Sequence, residues 1–317
     1  MAVQGAGRFA PSPSGQLHLG NLRTAVLAWL FARSTGRRFL IRIEDLDRVR
    51  AGAEGEQLAE LAALGIASDS PVIRQSEQSG RYEQALGRLL DHGLVYECFC
   101  TRRDVSDAAS APHGRPGFYP GTCRELSEGE RARRRLERRP ALRLRSAVDS
   151  WSVEDLLAGP FTAPVDDFVL RRNDGVIAYN LAVVLDDAAQ GIDQVVRGAD
   201  LLDSAPRQAY LATLLGLPVP AYAHVPLAVT AEGRRLAKRN GAVTLEDLAE
   251  LGRTPAEVLD VILASLGLPG GPLGSALTAF DPAGLPRKPW IVDPAALFST
   301  SAVPACKPSA PTDKVFP

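Results

Sequence analysis

The sequence predicts an α/β protein: a Rossmann-type parallel sheet, interrupted by an inserted α+β subdomain and followed by a short helical part. Three observations carry this. The first 45 residues read as strand, loop, helix, strand, with a Gly/Pro/Ser-rich first turn. Near Leu94 the alternation gives way to a stretch dense in cysteine, glycine, proline and arginine. Strand and helix patterning returns at Phe168–Arg171 and persists to about Leu227.

Each element follows from local chemistry. Gly7-Arg8-Phe9-Ala10 is a short strand candidate stopped by Pro11 and Pro13. From Asn21 to Thr35 the apolar Leu22, Val26, Trp29 and Leu30 fall at helical spacing, and Gly36 supplies a C-terminal cap. Phe39 to Ile43 is short and mostly apolar, as buried parallel strands are. Helices are expected around Gly55–Gly65 and Arg81–His92. Val95 to Cys100 alternates like a strand and leads into a loop that runs to Cys123. Arginines stand at 131, 133, 134, 135, 138, 139, 143 and 145 against one glutamate, Glu137. A helical segment, Thr244–Leu266, precedes a Pro/Ser/Ala-rich end expected to be poorly ordered.

These readings divide the chain into a first half of the core at 1–95, an inserted subdomain at 96–165 and a second half at 166–243. A helical region at 244–298 and a tail at 299–317 complete it. At 317 residues the chain exceeds the roughly 250–300 that one core supports, which suits a domain with an insertion. With 36 Lys+Arg against 37 Asp+Glu, it lacks the bulk positive charge of a strongly basic nucleic-acid binder. A 45% apolar content excludes wholesale disorder. With no apolar run of about 18 residues and no signal-like start, a cytoplasmic protein without membrane association is expected. Three of the four cysteines, Cys98, Cys100 and Cys123, lie close together, and Cys306 is in the tail. In such a compartment a metal site is the reading to test, ahead of a disulfide framework.

The first turn reads Ala10-Pro-Ser-Pro-Ser-Gly15-Gln-Leu-His18-Leu-Gly20-Asn21. Its glycines allow close backbone approach, and the following helix offers free N–H groups and a positive dipole end to phosphate. His18 stands where an imidazole could donate to a phosphate oxygen. Alone, the motif better fits a plain strand–helix turn with a surface histidine.

The wider pattern decides between them. Arg8-Phe-Ala-Pro-Ser-Pro-Ser-Gly15 with His18-Leu-Gly-Asn21, then Arg42-Ile-Glu-Asp-Leu-Asp47, resembles the N-terminal signature of class I glutamyl-tRNA synthetases. Tyr179-Asn-Leu-Ala-Val-Val-Leu-Asp-Asp187 and Val196-Arg-Gly-Ala-Asp-Leu-Leu202 are similar to that family's second half. Gly233-Arg-Arg-Leu-Ala-Lys238-Arg-Asn240 sits where its Lys-Met-Ser-Lys-Ser-type loop belongs. Full-length members continue into a large helical anticodon-binding region, but here only 77 residues follow Asn240. The chain therefore resembles the shortened branch, the glutamyl-Q tRNA(Asp) synthetases. These activate glutamate with ATP and place it on the queuosine base in the anticodon of tRNA(Asp).

The resemblance implies a glutamate site of Arg8, Ser12, Glu44, Tyr179 and Arg197. Arginines can grip carboxylates in bidentate fashion, Glu44 suits the ammonium, and Ser12 and Tyr179 supply hydroxyls. Which arginine takes the α- and which the γ-carboxylate stays open. It implies an ATP site of Gly15, His18, Gly20, Asn21 and Lys238, with His18 and Lys238 as the catalytic pair and Mg2+ as counter-ion. The family's Cys-x-Cys…Tyr-x-x-x-Cys pattern is matched by Cys98, Cys100, Tyr119 and Cys123, implying a structural Zn2+; chemistry alone would have favoured His113 over a tyrosine.

Three positions depart from the family pattern. Asn21 replaces the histidine that ends the first motif, Arg235 replaces a lysine, and Ala237 replaces a serine. The arginine run fits either a solvated helix face or contacts to tRNA phosphates. Trp29, Trp151 and Trp290 read as core, and a monomer is expected. Two alternatives stand beside the main reading. One is a truncated glutamyl-tRNA synthetase charging a tRNA 3′ end; the other is a non-catalytic tRNA-binding paralogue, suggested by Ala237 and Asn21. The retained Arg8, Glu44, Tyr179, Arg197 and Lys238 favour an enzyme.

Overall fold

The first strand, β1 (Ala6–Phe9), is buried along its whole length, and everything that builds the site is arranged around it. The computed structural model describes residues 5–109, 118–234, 236 and 243–293. In chain order β1 is followed by α1 (Leu19–Ser34), β2 (Arg38–Ile43), α2 (Ala53–Ala63), β3 (Ile73–Arg74), α3 (Ser79–Asp91) and β4 (Val95–Cys98). Then come α4 (Arg102–Ala109), α5 (Glu128–Glu137), β5 (Ala141–Leu144), β6 (Ser150–Asp155), β7 (Gly159–Pro164), β8 (Val169–Arg171), α6 (Tyr179–Gln190) and β9 (Ile192–Gly198). The rest comprises α7 (Ala205–Leu214), β10 (Ala221–Val225), β11 (Ala228–Val229), α8 (Leu245–Glu250), α9 (Pro255–Ala264), α10 (Leu273–Thr278) and β12 (Trp290–Ile291).

The main sheet has the order β3-β2-β1-β9-β10-β6-β7, parallel throughout except for the β6–β7 hairpin. Strand order reverses between β1 and β9. In open α/β sheets such a switch point leaves a crevice beyond the carboxyl ends of the strands, where ligands bind. Helix α1 is buried at Leu22, Ala25, Val26, Leu27, Leu30 and Phe31, nearly all round, because the sheet covers one side and the C-terminal helices the other. Among the described residues no helix is long and apolar enough to cross a membrane.

Two expected segments show further detail. The stretch 96–165 does not form one hydrogen-bonded unit. β6 and β7 belong to the main sheet, because Val153 packs with Tyr222 and Ala209 and Asp155 pairs with Tyr222. The second sheet, β4-β5-β8, is antiparallel and closes with a strand beyond residue 165. The helical segment expected at Thr244–Leu266 is built of two helices, α8 and α9. Gly252 turns the chain at φ +73°, and Thr254 and Glu257 form a fresh capping box ahead of Pro255.

Candidate active site

The turn after β1 is held from below by α2. Gln57 donates from Nε2 to the carbonyls of Ser12 (3.1 Å) and Gly15 (2.6 Å), and the N–H of Leu17 donates to Glu60 (2.9 Å). Gly15 has φ +142°, a conformation that favours glycine. His18 is the N-cap of α1. Its Nδ1 accepts from the N–H groups of Gly20 (3.1 Å) and Asn21 (3.3 Å), which leaves the ring proton on Nε2. Asn21 returns the bond by accepting from the His18 N–H. At this position an asparagine therefore completes a capping box. A Cβ on Gly20 would come within 3.1 Å of the His18 ring and 3.2 Å of Ala228 Cβ.

Lys238, Arg235 and Ala237 lie outside the described residues, as do His113 and Cys306. The segments flanking that loop are described. The Leu236 N–H donates to Ala228 (3.3 Å), the Leu19 N–H donates to Val243 (3.0 Å), and His18 bridges Thr244. One end of the loop is thus tied to β11 and the other to the N-terminus of α1.

Beside this turn, charges cluster at the ends of β1 and β2. Asp187, on the inner face of α6, accepts from Arg8 (3.2 and 3.3 Å) and from Arg42 (2.7 Å). Arg42 also reaches Gln190 (2.8 Å) and Glu44 (3.1 Å). Burial raises the Glu44 carboxyl above the usual range, opposed in part by Arg42 and Arg8. Burial acts the same way on Asp187, but there the two arginines outweigh it and hold the carboxyl low. Adjacent Asp186 faces α3 instead, accepting from Gln75, Arg81 and Tyr82.

Arg197, on β9, differs from the other two arginines. Only 5% of it is exposed, and its partners are all neutral: His224 Nε2 (3.0 Å), Gln208 Oε1 (2.7 Å), Tyr179 Oη (3.4 Å) and the Leu201 carbonyl (3.3 Å). Among the described residues it makes no ion pair. Tyr179 opens α6, and desolvation raises its hydroxyl pKa; Arg197 and Arg8 oppose this while Glu44 and Asp187 add to it. Arg8, Glu44, Tyr179 and Arg197 are thus brought together. Ser12 lies on the neighbouring turn, exposed, with its carbonyl held by Gln57.

Sequence reasoning assigned no role to Arg42, Asp187, His224 or Asp155. A signal existed for Asp187, since two adjacent acids sit within a mostly apolar helix and a buried acid demands a cation. None existed for Asp155, which meets His224 only through the pairing of β6 with β10.

The cysteines converge. Cys98, Cys100 and Cys123 present sulfurs within 4.8 Å of one another, and Tyr119 lies among them. Cys100 and Cys123 sulfurs are 3.6 Å apart, and Tyr119 Oη is 3.4 Å from Cys98 and 3.7 Å from Cys100. A tetrahedral zinc with sulfur at about 2.3 Å and oxygen at about 2.0 Å has S–S edges of about 3.8 Å and S–O edges of about 3.5 Å. The four groups fit such an ion. Cys98 is held well below the ordinary thiol pKa, first by a hydrogen bond from Cys100, with Tyr119 and Arg143 adding and burial opposing. The arginine run divides. Arg143 is buried, donating to the Asp167 carbonyl, whereas α5 buries none of its residues.

Comparison with known proteins accords with this geometry. Residues 6–271 match the family described as tRNA synthetases class I (E and Q), catalytic domain. A glutamyl-Q tRNA(Asp) synthetase of Nocardia farcinica is 62% identical over 303 residues, covering 95% of this chain and 97% of its own. One from Cutibacterium acnes is 52% identical over 271 residues, 83% of this chain and 76% of that one. The glutamate tRNA ligase of Elizabethkingia meningosepticum, solved in complex with its amino acid, is 24% identical. It superposes with a TM-score of 0.78 over 93% of this chain and 68% of its own, a shared fold. The chain belongs to the class I (E and Q) tRNA synthetase family, in its glutamyl-Q tRNA(Asp) synthetase branch.

Proposed function

We propose that the chain is a ligase that activates glutamate with ATP and transfers it to the queuosine base in the anticodon of tRNA(Asp), acting in the cytoplasm as a monomer. The observation that carries the amino-acid specificity is Arg197: a buried guanidinium with only neutral partners, at the switch point of the sheet. An uncompensated buried cation calls for an anionic ligand. Arg8 already has Asp187. In this reading Arg197 takes one carboxylate of glutamate, Glu44 the ammonium, and Arg8, Ser12 and Tyr179 line the remainder.

The turn at Gly15, His18, Gly20 and Asn21 would receive the ATP phosphates, with Lys238 assigned to them as well and Mg2+ as counter-ion. The α-carboxylate of glutamate displaces pyrophosphate from the α-phosphate, and the acyl group then passes to a hydroxyl of the queuosine cyclopentenediol. The seven-stranded sheet, including β6 and β7, forms the catalytic core in this scheme, and the helices after Val243 support α1. The insertion is centred on β4, β5 and β8, where Cys98, Cys100, Tyr119 and Cys123 would hold a structural zinc.

The test is glutamate-dependent pyrophosphate exchange without tRNA, followed by labelled glutamate offered to tRNA(Asp) with and without queuosine and to tRNA(Glu). Label on queuosine-containing tRNA(Asp) alone is the expected result. An alkali-labile 3′ ester on tRNA(Glu) would make the chain a truncated synthetase, and absence of exchange under all conditions would make it a binding paralogue.

A further inference from the structure

Three neighbouring strands of the main sheet each contribute one polar side chain to a buried line. Asp155 ends β6, His224 lies on β10 and Arg197 on β9, and His224 is in register with Arg197. The Asp155 carboxylate accepts from the backbone N–H groups of Leu157 (2.9 Å), Ala158 (2.8 Å) and His224 (3.1 Å). It lies 2.6 Å from His224 Nδ1, while Arg197 Nε donates to His224 Nε2 at 3.0 Å.

We infer that Asp155 and His224 are positioning residues for the amino-acid substrate, fixing by the tautomer of one imidazole how Arg197 presents its Nη groups to a carboxylate. This rests on the reading of Arg197 as the carboxylate ligand. The chemistry leaves one arrangement. Asp155 is surrounded by donors and acts as an acceptor, so the proton between it and the ring sits on Nδ1. Nε2 then carries a lone pair, which is what an arginine N–H requires. The opposite tautomer, or an imidazolium, would set N–H against N–H.

Burial and the Arg197 charge keep the imidazole pKa below its ordinary value, against the pull of Asp155. The stacked Tyr222 ring, 5.9 Å from that of His224, covers one face. Two of the bonds to Arg197 are short, to His224 and to Gln208 Oε1 (2.7 Å). The other two, to Tyr179 (3.4 Å) and the Leu201 carbonyl (3.3 Å), are long and are the ones a ligand carboxylate would replace. The short bonds therefore aim the group, and the long ones mark the side that binds.

The experiment measures KM for glutamate and for ATP by pyrophosphate exchange in the full chain. Asp155→Asn turns a carboxamide N–H toward Nδ1, driving the ring proton to Nε2 and against Arg197. The expected result is a rise of about tenfold or more in the glutamate KM with the ATP KM within about twofold. His224→Gln keeps an acceptor for Arg197 without needing the aspartate, so Asp155→Asn/His224→Gln should regain most of the loss; a purely structural role predicts no such rescue. Nitrogen-15 NMR of the wild-type chain with labelled histidine should find His224 neutral, with the proton on Nδ1. A proton on Nε2, or a charged ring, at pH 7.5 would overturn the inference even if the variants fail to fold. Arg197→Ala separates the two levels: an unchanged glutamate KM removes the reading of the site. A raised KM there with none in Asp155→Asn removes only the positioning role.

Discussion

Arg8 and Asp187 meet side-on across 179 residues of chain, Nε and Nη2 each facing one carboxylate oxygen at 3.2 and 3.3 Å. Arg42 joins the same carboxylate, so one aspartate holds two buried guanidinium groups at the ends of neighbouring strands. Breaking a buried pair by removing one partner costs about 3–5 kcal/mol, because the other charge is left uncompensated. Asp187→Ala should lower the unfolding free energy by about that amount in urea titration. A loss under about 1 kcal/mol would show that solvent reaches these arginines.

The contrast with Arg197 yields the second expectation. Truncating one side of a buried charged contact costs about 2–5 kcal/mol, at least thirtyfold in affinity. Arg197→Ala should therefore raise the glutamate KM at least thirtyfold and leave ATP binding nearly intact, measured by pyrophosphate exchange. Equal loss for both ligands would reject the placement of glutamate at this end of the sheet.

Much of this was legible in the chain itself. The β1–α1–β2 unit shows through because proline, glycine and apolar spacing act locally, and Arg8, Glu44, Tyr179 and Arg197 fall within motifs matched in order. Their couplings are not local. Asp155 reaches His224 across 69 residues and Arg8 reaches Asp187 across 179, so neither pair leaves a spacing signal. The sheet membership of β6 and β7 is hidden for the same reason: they look like any hairpin, and only their packing on β10 assigns them to the main sheet.

Glu44 gives the site a pH dependence. Its carboxyl pKa is raised by burial, with Arg42 and Arg8 opposing and Asp187 adding to the rise, and Tyr179 lies within range of its charge. An ammonium ligand requires the ionised form. As pH falls through the raised pKa, Glu44 takes up a proton and loses its grip, so the glutamate KM should climb at a higher pH than an ordinary carboxylate would dictate. In Glu44→Gln this limb of the profile should vanish while the KM stays high throughout. A wild-type profile flat down to the ordinary carboxylate range would remove Glu44 as the ammonium ligand.

Gly20 tests the other half of the site. A methyl group there meets the His18 ring at 3.1 Å and Ala228 Cβ at 3.2 Å, and α1 cannot shift easily because it is packed on both sides. The ring is the part that would have to turn, at the expense of its bonds to the N–H groups of residues 20 and 21. Gly20→Ala should raise the ATP KM and slow exchange while leaving the glutamate KM nearly unchanged, the reverse of Arg197→Ala. A selective effect on glutamate would mean that the turn does not serve ATP.

The cysteine cluster makes the last prediction. Its own core is small: Tyr96, Cys98, Phe99, Tyr119 and Cys123, with Val105 and Leu126 at its edge. So few apolar side chains bury too little surface to hold these strands and turns together unaided. A metal ion holding ligands from both 98–100 and 119–123 would supply the difference, and it binds only the folded form. About one zinc per chain should therefore persist through purification. Cys123→Ser should release it and expose this region to proteases, with the β1–β9–β10 sheet still folded. Tyr119→Phe separates ligation from packing, since the ring and its contact with the Arg143 guanidinium, 3.7 Å away, remain while the oxygen is lost. Weaker zinc retention in that variant would identify the tyrosine as the fourth ligand. A folded, active chain that carries no metal would remove the site altogether.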